Sequence, residues 1–303
     1  MEIRTLRYFV EVARCKSFTL AAHRLSVTQP TLSRQIADME VQLGQVLFER
    51  NTRKVTLTEK GLYLFRQAES ILALIDRTEK EVMSREELTG EIVISAAETP
   101  DFDLVAQTVH EFTDRFPSVR CCLISSNATD TADRLRTGLA DFGVMILPAD
   151  LDGFHFFELP GHNSWGLLTR RDGVFRNHEA ITPRDLLGVP LFVANRKPFE
   201  NLFTGWLGYP IAELKIAGTY TLLYNASRVV RQGAHALCQQ GIVAEDDEIK
   251  FLPLKPAFTV KSVFAWPQVR PKRLAADVFL DLLREKIRQR VIQSAIDLNE
   301  TSS

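Results

Sequence analysis

Four apolar residues, Leu32, Ile36, Met39 and Leu43, recur at three- and four-residue steps behind the tripeptide Thr28-Gln29-Pro30. At about 100° per residue they fall on one narrow helical stripe. Thr28 can cap that helix, Pro30 is tolerated in its first turn, and Gly44 ends it. Just upstream, Thr19 can cap a short helix containing Ala21, Ala22 and Leu25, whose small alanines let another helix approach closely. Ser26-Val27 makes the turn between the two. Leu6, Phe9, Val10 and Ala13 lie at i, i+3, i+4 and i+7 of a helix before both. Three short helices around one tight turn leave one side of the third without an apolar partner. That side carries Pro30, Thr31, Ser33, Arg34 and Ala37.

The pattern is that of a helix-turn-helix, whose second helix can enter the major groove of DNA. Short hydroxyls at Thr28, Thr31 and Ser33 can reach base edges or phosphates, and Gln29 can bond an adenine edge. Arg34 can pair with guanine or with a phosphate, and Pro30 and Ala37 keep that face low. Two apolar strands then follow, Val46 to Phe48 and Val55 to Leu57, flanking Asn51-Thr52 as a β-hairpin wing. Arg50, Arg53 and Lys54 sit where a wing touches phosphates or the minor groove. A lone basic hairpin would more simply be a solvated loop; behind a helix-turn-helix the phosphate reading prevails. Charge agrees: residues 1–60 hold ten basic side chains against six acidic ones, within a chain of net charge −1.

The stretch from Ser17 to Gly61 resembles the DNA-binding signature of the LysR family of bacterial transcription regulators. The resemblance rests on Ala21-Ala22, Thr28-Gln29-Pro30, Ser33-Arg34-Gln35-Ile36, Leu43-Gly44, Leu47-Phe48-Glu49-Arg50 and Leu57-Thr58-Glu59 in that order, with Lys60 intervening before Gly61. It implies a ligand-responsive regulator and double-stranded DNA as partner, at pseudo-palindromic promoter sites. RNA polymerase is a further candidate partner.

Beyond the wing, Thr56 and Glu59 fit a capping box, and no proline occurs until Pro100. Phe65, Ala68, Leu72, Ile75 and Val82 repeat at three- and four-residue steps, interrupted by Glu79, with Leu64 and Ile71 widening the face. The spacing predicts a long linker helix that pairs with a second copy rather than only covering its own domain. A homodimer or homotetramer is expected. The charged run from Ser84 to Gly90 marks the end of this segment.

From Glu91 strands alternate with helices: a buried strand EIVISAA, a helix from Phe102 to Phe116, a strand from Val119 to Ser125, a helix from Thr129 to Leu139 and the strand DFGVMI. This rhythm implies a doubly wound, mostly parallel sheet, whose ligands bind beyond the carboxyl ends of its strands. The polar loops there nominate Ser95, Ala97, Glu98, Thr99, Asn127, Thr129, Arg196, Thr219 and Tyr220 as effector-binding residues. Thr99, Asn127 and Thr129 are equally plausible helix caps. Arg196 and Lys197 favour a carboxylate effector, Glu98 an amine or hydroxyl, and an amino acid or a hydroxylated aromatic acid reconciles the two.

The resemblance extends more loosely here, through Gly138-Leu139-Ala140-Asp141, Asp185-Leu186-Leu187-Gly188 and Phe264-Ala265-Trp266. It implies a two-lobed, periplasmic-binding-protein-like (type 2) α/β domain with the effector in the interlobe cleft. The expected organisation is a winged helix-turn-helix at 1–58, a linker helix at 59–89 and an effector domain at 90–303. Within it, lobe I takes 90–161 and 268–303, and lobe II takes 162–267. The segment Arg228 to His235 replaces a glycine-rich run and keeps only Gly233. His235 reads as a core histidine in preference to an effector- or pH-sensing group.

Other classes fit less of the chain. No GxSxG, GxxxxGK[ST], GxGxxG or HExxH motif occurs, so an enzyme is not expected, and an α/β enzyme with a helical front remains the alternative. A solute-binding protein leaves residues 1–90 unexplained. The first residues lack a signal-peptide apolar core and no run of about 18 apolar residues appears, so a cytoplasmic protein is expected. The four cysteines, Cys15, Cys121, Cys122 and Cys238, show no metal spacing. No metal or cofactor is expected beyond a small-molecule effector.

Overall fold

A computed structural model describes residues 2–51, 54–83, 88–161, 163–195, 197–271 and 273–300. The chain divides into two compact units, Met1–Arg85 and Glu86–Ser303.

The first unit orders α1 (Ile3–Cys15), α2 (Phe18–Arg24), α3 (Gln29–Leu43), a hairpin of β1 (Phe48–Asn51) and β2 (Lys54–Leu57), and α4 (Glu59–Met83). Its core takes in most of the residues that the apolar spacing selects, together with Val12 and Phe18, while Ala13, Leu25, Phe65 and Ile75 are only partly buried. Leu6, Phe9, Val10, Ala21, Leu32, Ile36, Met39, Ala68 and Leu72 are all buried there. Phe48 closes the core from the wing, with its ring 5.2 Å from Phe9 and 5.7 Å from Phe18. The small side chain of fully buried Ala21 lets α2 lie close to its neighbours.

Four local expectations change. Leu43 is 42% exposed, because the last turn of α3 overhangs the core. Ser17, not Thr19, caps α2, its hydroxyl accepting from the Leu20 amide at 3.3 Å. The wing starts at Phe48 rather than Val46, because the Glu40 carboxylate on α3 takes the amides of Leu47 (2.7 Å) and Phe48 (3.1 Å) and holds the chain ahead of the strand. Thr58 replaces Thr56 as the cap of α4: its hydroxyl accepts from the Gly61 amide at 3.0 Å, while Thr56 stands in β2 opposite Glu49.

The second unit holds two sheets. The first has the order β4-β3-β5-β13-β6, from β3 (Gly90–Ala96), β4 (Val119–Ser125), β5 (Phe142–Ile146), β6 (Phe154–Glu158) and β13 (Ser262–Pro267). Strand β3 runs parallel to β4 and β5, and β13 runs antiparallel to β5 and β6. Helices α5 (Phe102–Arg115) and α9 (Leu274–Glu300) bury Phe112 and Phe279 on one face. Helix α6 (Ala128–Arg136) buries Ala132 and Leu135 on the other.

The second sheet has the order β11-β7-β10-β8-β9, from β7 (Asn163–Arg170), β8 (Leu191–Ala194), β9 (Ile216–Tyr220), β10 (His235–Gln239) and β11 (Ile249–Pro253). Strand β12 (Thr259–Val260) pairs with β7. Helices α7 (Lys197–Leu207) and α8 (Leu223–Val230) complete this lobe.

The lobe boundary is therefore corrected at its second crossing. Ser262–Pro267 belongs to the first sheet, so the chain returns before Ser262 rather than after Pro267. Its alternation supplies the reason: Phe264 stacks on Phe157 at 5.5 Å and lies against Phe279, so the strand is committed to the first core. Where the chain crosses, Asn163 accepts from Thr99 Oγ1 at 3.0 Å and donates to Asp101 at 2.6 Å, and Ser262 also donates to Asp101. Among the described residues no helix is long and apolar enough to cross a membrane.

Candidate nucleic-acid interface and ligand cleft

Helix α3 is fixed from behind and bare in front. Leu32, Ile36 and Met39 anchor its back, Gln35 accepts from Thr5 Oγ1 at 3.4 Å, and Glu40 clamps the wing. On the front Gln29, Pro30, Thr31 and Arg34 are exposed and Ser33 is half-buried. Thr28 is also exposed; its hydroxyl shares a 2.8 Å hydrogen bond with that of Thr31 and accepts from the Thr31 amide at 3.4 Å. Thr28 thus presets the first turn whose amides and hydroxyls face outward.

The excess of positive charge divides into internal and outward parts. Arg7 pairs with Asp76 at 2.5 Å and Arg14 with Glu69 at 3.0 Å, which ties α1 to α4. Arg24 pairs with Glu11 at 3.2 Å. Arg34 has no ion-pair partner among the described residues, so its guanidinium is available to a base or phosphate. The wing register sets Arg50 opposite Val55 and Asn51 opposite Lys54. Arg53 lies outside the described residues, as do the side chains of Arg50 and Lys54.

The second unit contains a cleft with about 580 Å³ of space, partly open to solvent, between the two sheets. Of the residues nominated from the strand-end loops, Ala97, Glu98, Asn127 and Tyr220 line it. The others do not. Ser95 is fully buried and shares a 2.9 Å hydrogen bond with Thr131. Thr99 is spent on Asn163 at the crossing. Thr129 on α6 and Thr219 on β9 are exposed away from the cleft, and Arg196 lies outside the described residues.

Two lining residues are largely committed to the fold. Asn127 caps α6 by accepting from the Asp130 amide at 2.8 Å, and the Tyr220 hydroxyl donates to the Leu237 carbonyl at 2.6 Å. Glu98 reaches across the cleft, its Oε2 accepting from the Leu223 amide at 2.6 Å. Trp165 on β7 and Gln239 on β10 complete the walls. The sequence reading missed both, because it linked strand ends in order, whereas β7 and β10 are antiparallel neighbours from distant segments. The one sequence signal was a glutamine closing the otherwise apolar run Ala236-Leu237-Cys238. A second opening of about 870 Å³ shares Ala97, Glu98 and Ile242 and is bounded by Thr99, Leu123 and Gly241.

His235 stands apart from the cleft. It is 7% exposed, its Nδ1 shares a 2.8 Å hydrogen bond with Thr169 Oγ1, and its ring meets Phe175 edge-on. Burial holds its pKa below the ordinary value of 6.5, so the folded chain keeps it neutral while the unfolded chain takes up a proton as pH falls. Its contribution to stability is complete above about pH 6.5 and declines below it. His235→Gln should flatten that decline. Denaturation from about pH 7.5 to about 5.5 that shows identical slopes in both proteins would refute the assignment. Burial likewise pushes the Cys238 thiol up to about 12 and raises that of Cys121. No group of three or more His, Cys, Asp or Glu side chains among the described residues could hold a metal ion.

Comparison with known proteins bears on both sites. Residues 3–62 match the bacterial regulatory helix-turn-helix protein family, lysR type, and residues 85–288 match the LysR substrate binding domain. An uncharacterised HTH-type transcriptional regulator of Bacillus subtilis, YcgK, is 32% identical over 95% of this chain and 96% of its own length. The HTH-type transcriptional regulator TfdT of Cupriavidus pinatubonensis is 32% identical over 65% of this chain and 86% of its own. Among solved structures, the LysR family transcriptional regulator CbnR superposes with a TM-score of 0.71 at 22% identity, covering 95% of this chain and 99% of CbnR. Full-length CbnR complexed with its target DNA gives 0.69 at 21% identity, with the same coverage.

Proposed function

This chain belongs to the LysR family, and is a DNA-binding transcription regulator with an effector-binding domain; from that premise we propose how it reads DNA and what controls it. Helix α3 enters the major groove, with Thr28, Gln29, Pro30, Thr31, Ser33 and Arg34 facing the duplex, and the wing lays Arg50, Arg53 and Lys54 along the backbone. The carrying observation is the division of α3 into a buried, clamped back and an uncovered front whose arginine has no ion-pair partner among the described residues. Two chains, paired through the linker helix α4 as a homodimer or within a homotetramer, address the halves of an interrupted inverted repeat. The protein acts in the cytoplasm, where its DNA is.

A small molecule in the cleft between the two sheets controls this activity. Ala97, Glu98, Asn127 and Tyr220 support that placement by lining one cavity. A ligand shifts the lobes only by its differential affinity for their two arrangements. Of the two chemistries, carboxylate and amino acid, the walls favour a ligand that brings a positive group to Glu98.

Selection of bound duplexes from a random pool at moderate salt tests the DNA side. An interrupted inverted repeat should be enriched by the wild-type protein and not by Arg34→Ala. No enrichment, with or without pooled metabolites, would sink the reading.

A further inference from the structure

The cleft carries a specific charge pattern. The N-terminus of α8, an eight-residue helix, opens into it, and its cap residue Leu222 offers no side-chain acceptor. Backbone amides at such a terminus attract an anion. Here the position is already filled, because Glu98 Oε2 accepts from the Leu223 amide at 2.6 Å. Glu98 has no ion-pair partner among the described residues, and it is the single charged side chain lining the cavity among them. A ligand carboxylate entering at the α8 terminus would meet a resident carboxylate there.

Gln239 makes an independent demand. It is 2% exposed, lines the same cavity, and neither its amide nitrogen nor its amide oxygen has a hydrogen-bond partner among the described residues. A buried primary amide left unsatisfied on both atoms is costly, so a group that accepts from Nε2 and donates to Oε1 gains by entering. A carboxylate could only accept; an amide or a hydroxyl does both. Between these polar points the walls are Trp165, Ile146 and Leu223, which suit an apolar linking segment.

We infer that the cleft takes a small molecule carrying an ammonium group, paired with Glu98, and an amide or hydroxyl, paired with Gln239, across a short apolar body. This deepens the proposed effector control and rests on it.

Four probes of matched length separate the alternatives on the full-length protein by calorimetry and thermal shift. ε-Aminocaproamide carries ammonium and amide, ε-aminocaproate ammonium and carboxylate, adipamate carboxylate and amide, and adipate two carboxylates. ε-Aminocaproamide should bind most tightly. Glu98→Gln, which keeps an acceptor for the Leu223 amide but removes the charge, should weaken it about tenfold and let adipamate bind. Gln239→Leu should reduce ε-aminocaproamide to the affinity of hexylamine while leaving the protein at least as stable. Tighter binding of adipamate or adipate to the wild type, or no shift from any probe at about 10 mM, overturns the inference. If adipamate or adipate binds the wild type more tightly than ε-aminocaproamide, the cleft stands and the ammonium assignment falls. Should binding ignore both substitutions, the cleft reading itself fails.

Discussion

Gly61→Ala is expected to destabilise the DNA-binding unit by about 3 kcal/mol, enough to abolish specific DNA binding in a marginally stable domain. In an ordinary helix the same change would stabilise by about 1 kcal/mol, since alanine is the better helix former. The difference lies in what Gly61 faces. A Cβ built there would come within 2.1 Å of the Leu47 carbonyl oxygen and 3.1 Å of the Leu57 side chain. That carbonyl cannot retreat, because it accepts from the Thr58 amide at 3.0 Å while the Thr58 hydroxyl bonds the Val46 carbonyl at 2.8 Å. Helix α4 is thereby held against the segment that leads into the wing, and the contact tolerates no methyl group. Hydrogen exchange should show α1, α3 and the wing losing protection together. A variant with unchanged or greater protection there would show that this contact is not the constraint.

Arg34→Ala should weaken binding to the selected inverted repeat by about 1–3 kcal/mol for each half-site, and so by roughly 2–6 kcal/mol for a two-fold dimer. The fold should not change, because Arg34 is exposed, has no ion-pair partner among the described residues and sits in a helix that alanine suits. Arg34→Lys separates base from phosphate contact. Lysine keeps the charge but loses the bidentate fork, so a base contact is lost almost as fully as in the alanine variant, whereas a phosphate contact is largely kept. Affinities for the selected and a scrambled duplex, measured over a range of salt, provide the comparison. Equal binding of wild type and alanine variant to the selected site would mean that α3 does not read DNA through this residue.

The first unit was legible in the sequence because its determinants are local. Apolar residues at helical spacing, Thr28 before Gln29-Pro30 and Gly44 in the left-handed region (φ 62°) act within a few residues of where they stand. Even the errors there are short-range competitions. Ser17 outcompeted Thr19 as a cap, and Glu40 delayed the first wing strand by taking the amides of Leu47 and Phe48.

The alternation of strands and helices after Gly90 was legible for the same reason, and it located the ends of strands where a cleft forms. Which polar residues face that cleft was not legible, because Ser95, Thr99, Asn127 and Tyr220 could each bond a ligand or the protein, and only the fold says which hydroxyls and amides are already used. Ser95 meets Thr131 from 36 residues away, and Thr99 meets Asn163 from 64 away. The second crossing between lobes likewise depended on Phe264 finding Phe157 and Phe279, partners that no spacing rule links to it.

Residue order thus determined the family, the helices, the exposed face of α3 and the alternating architecture, since each arises from periodicity and capping along the chain. Tertiary structure alone decided that Glu98 would fill the terminus of a helix more than a hundred residues away, and that Gln239 would be left in the cleft with both amide atoms unmatched among the described residues. Both depend on which groups have found partners and which have not, and that balance exists only in the folded chain.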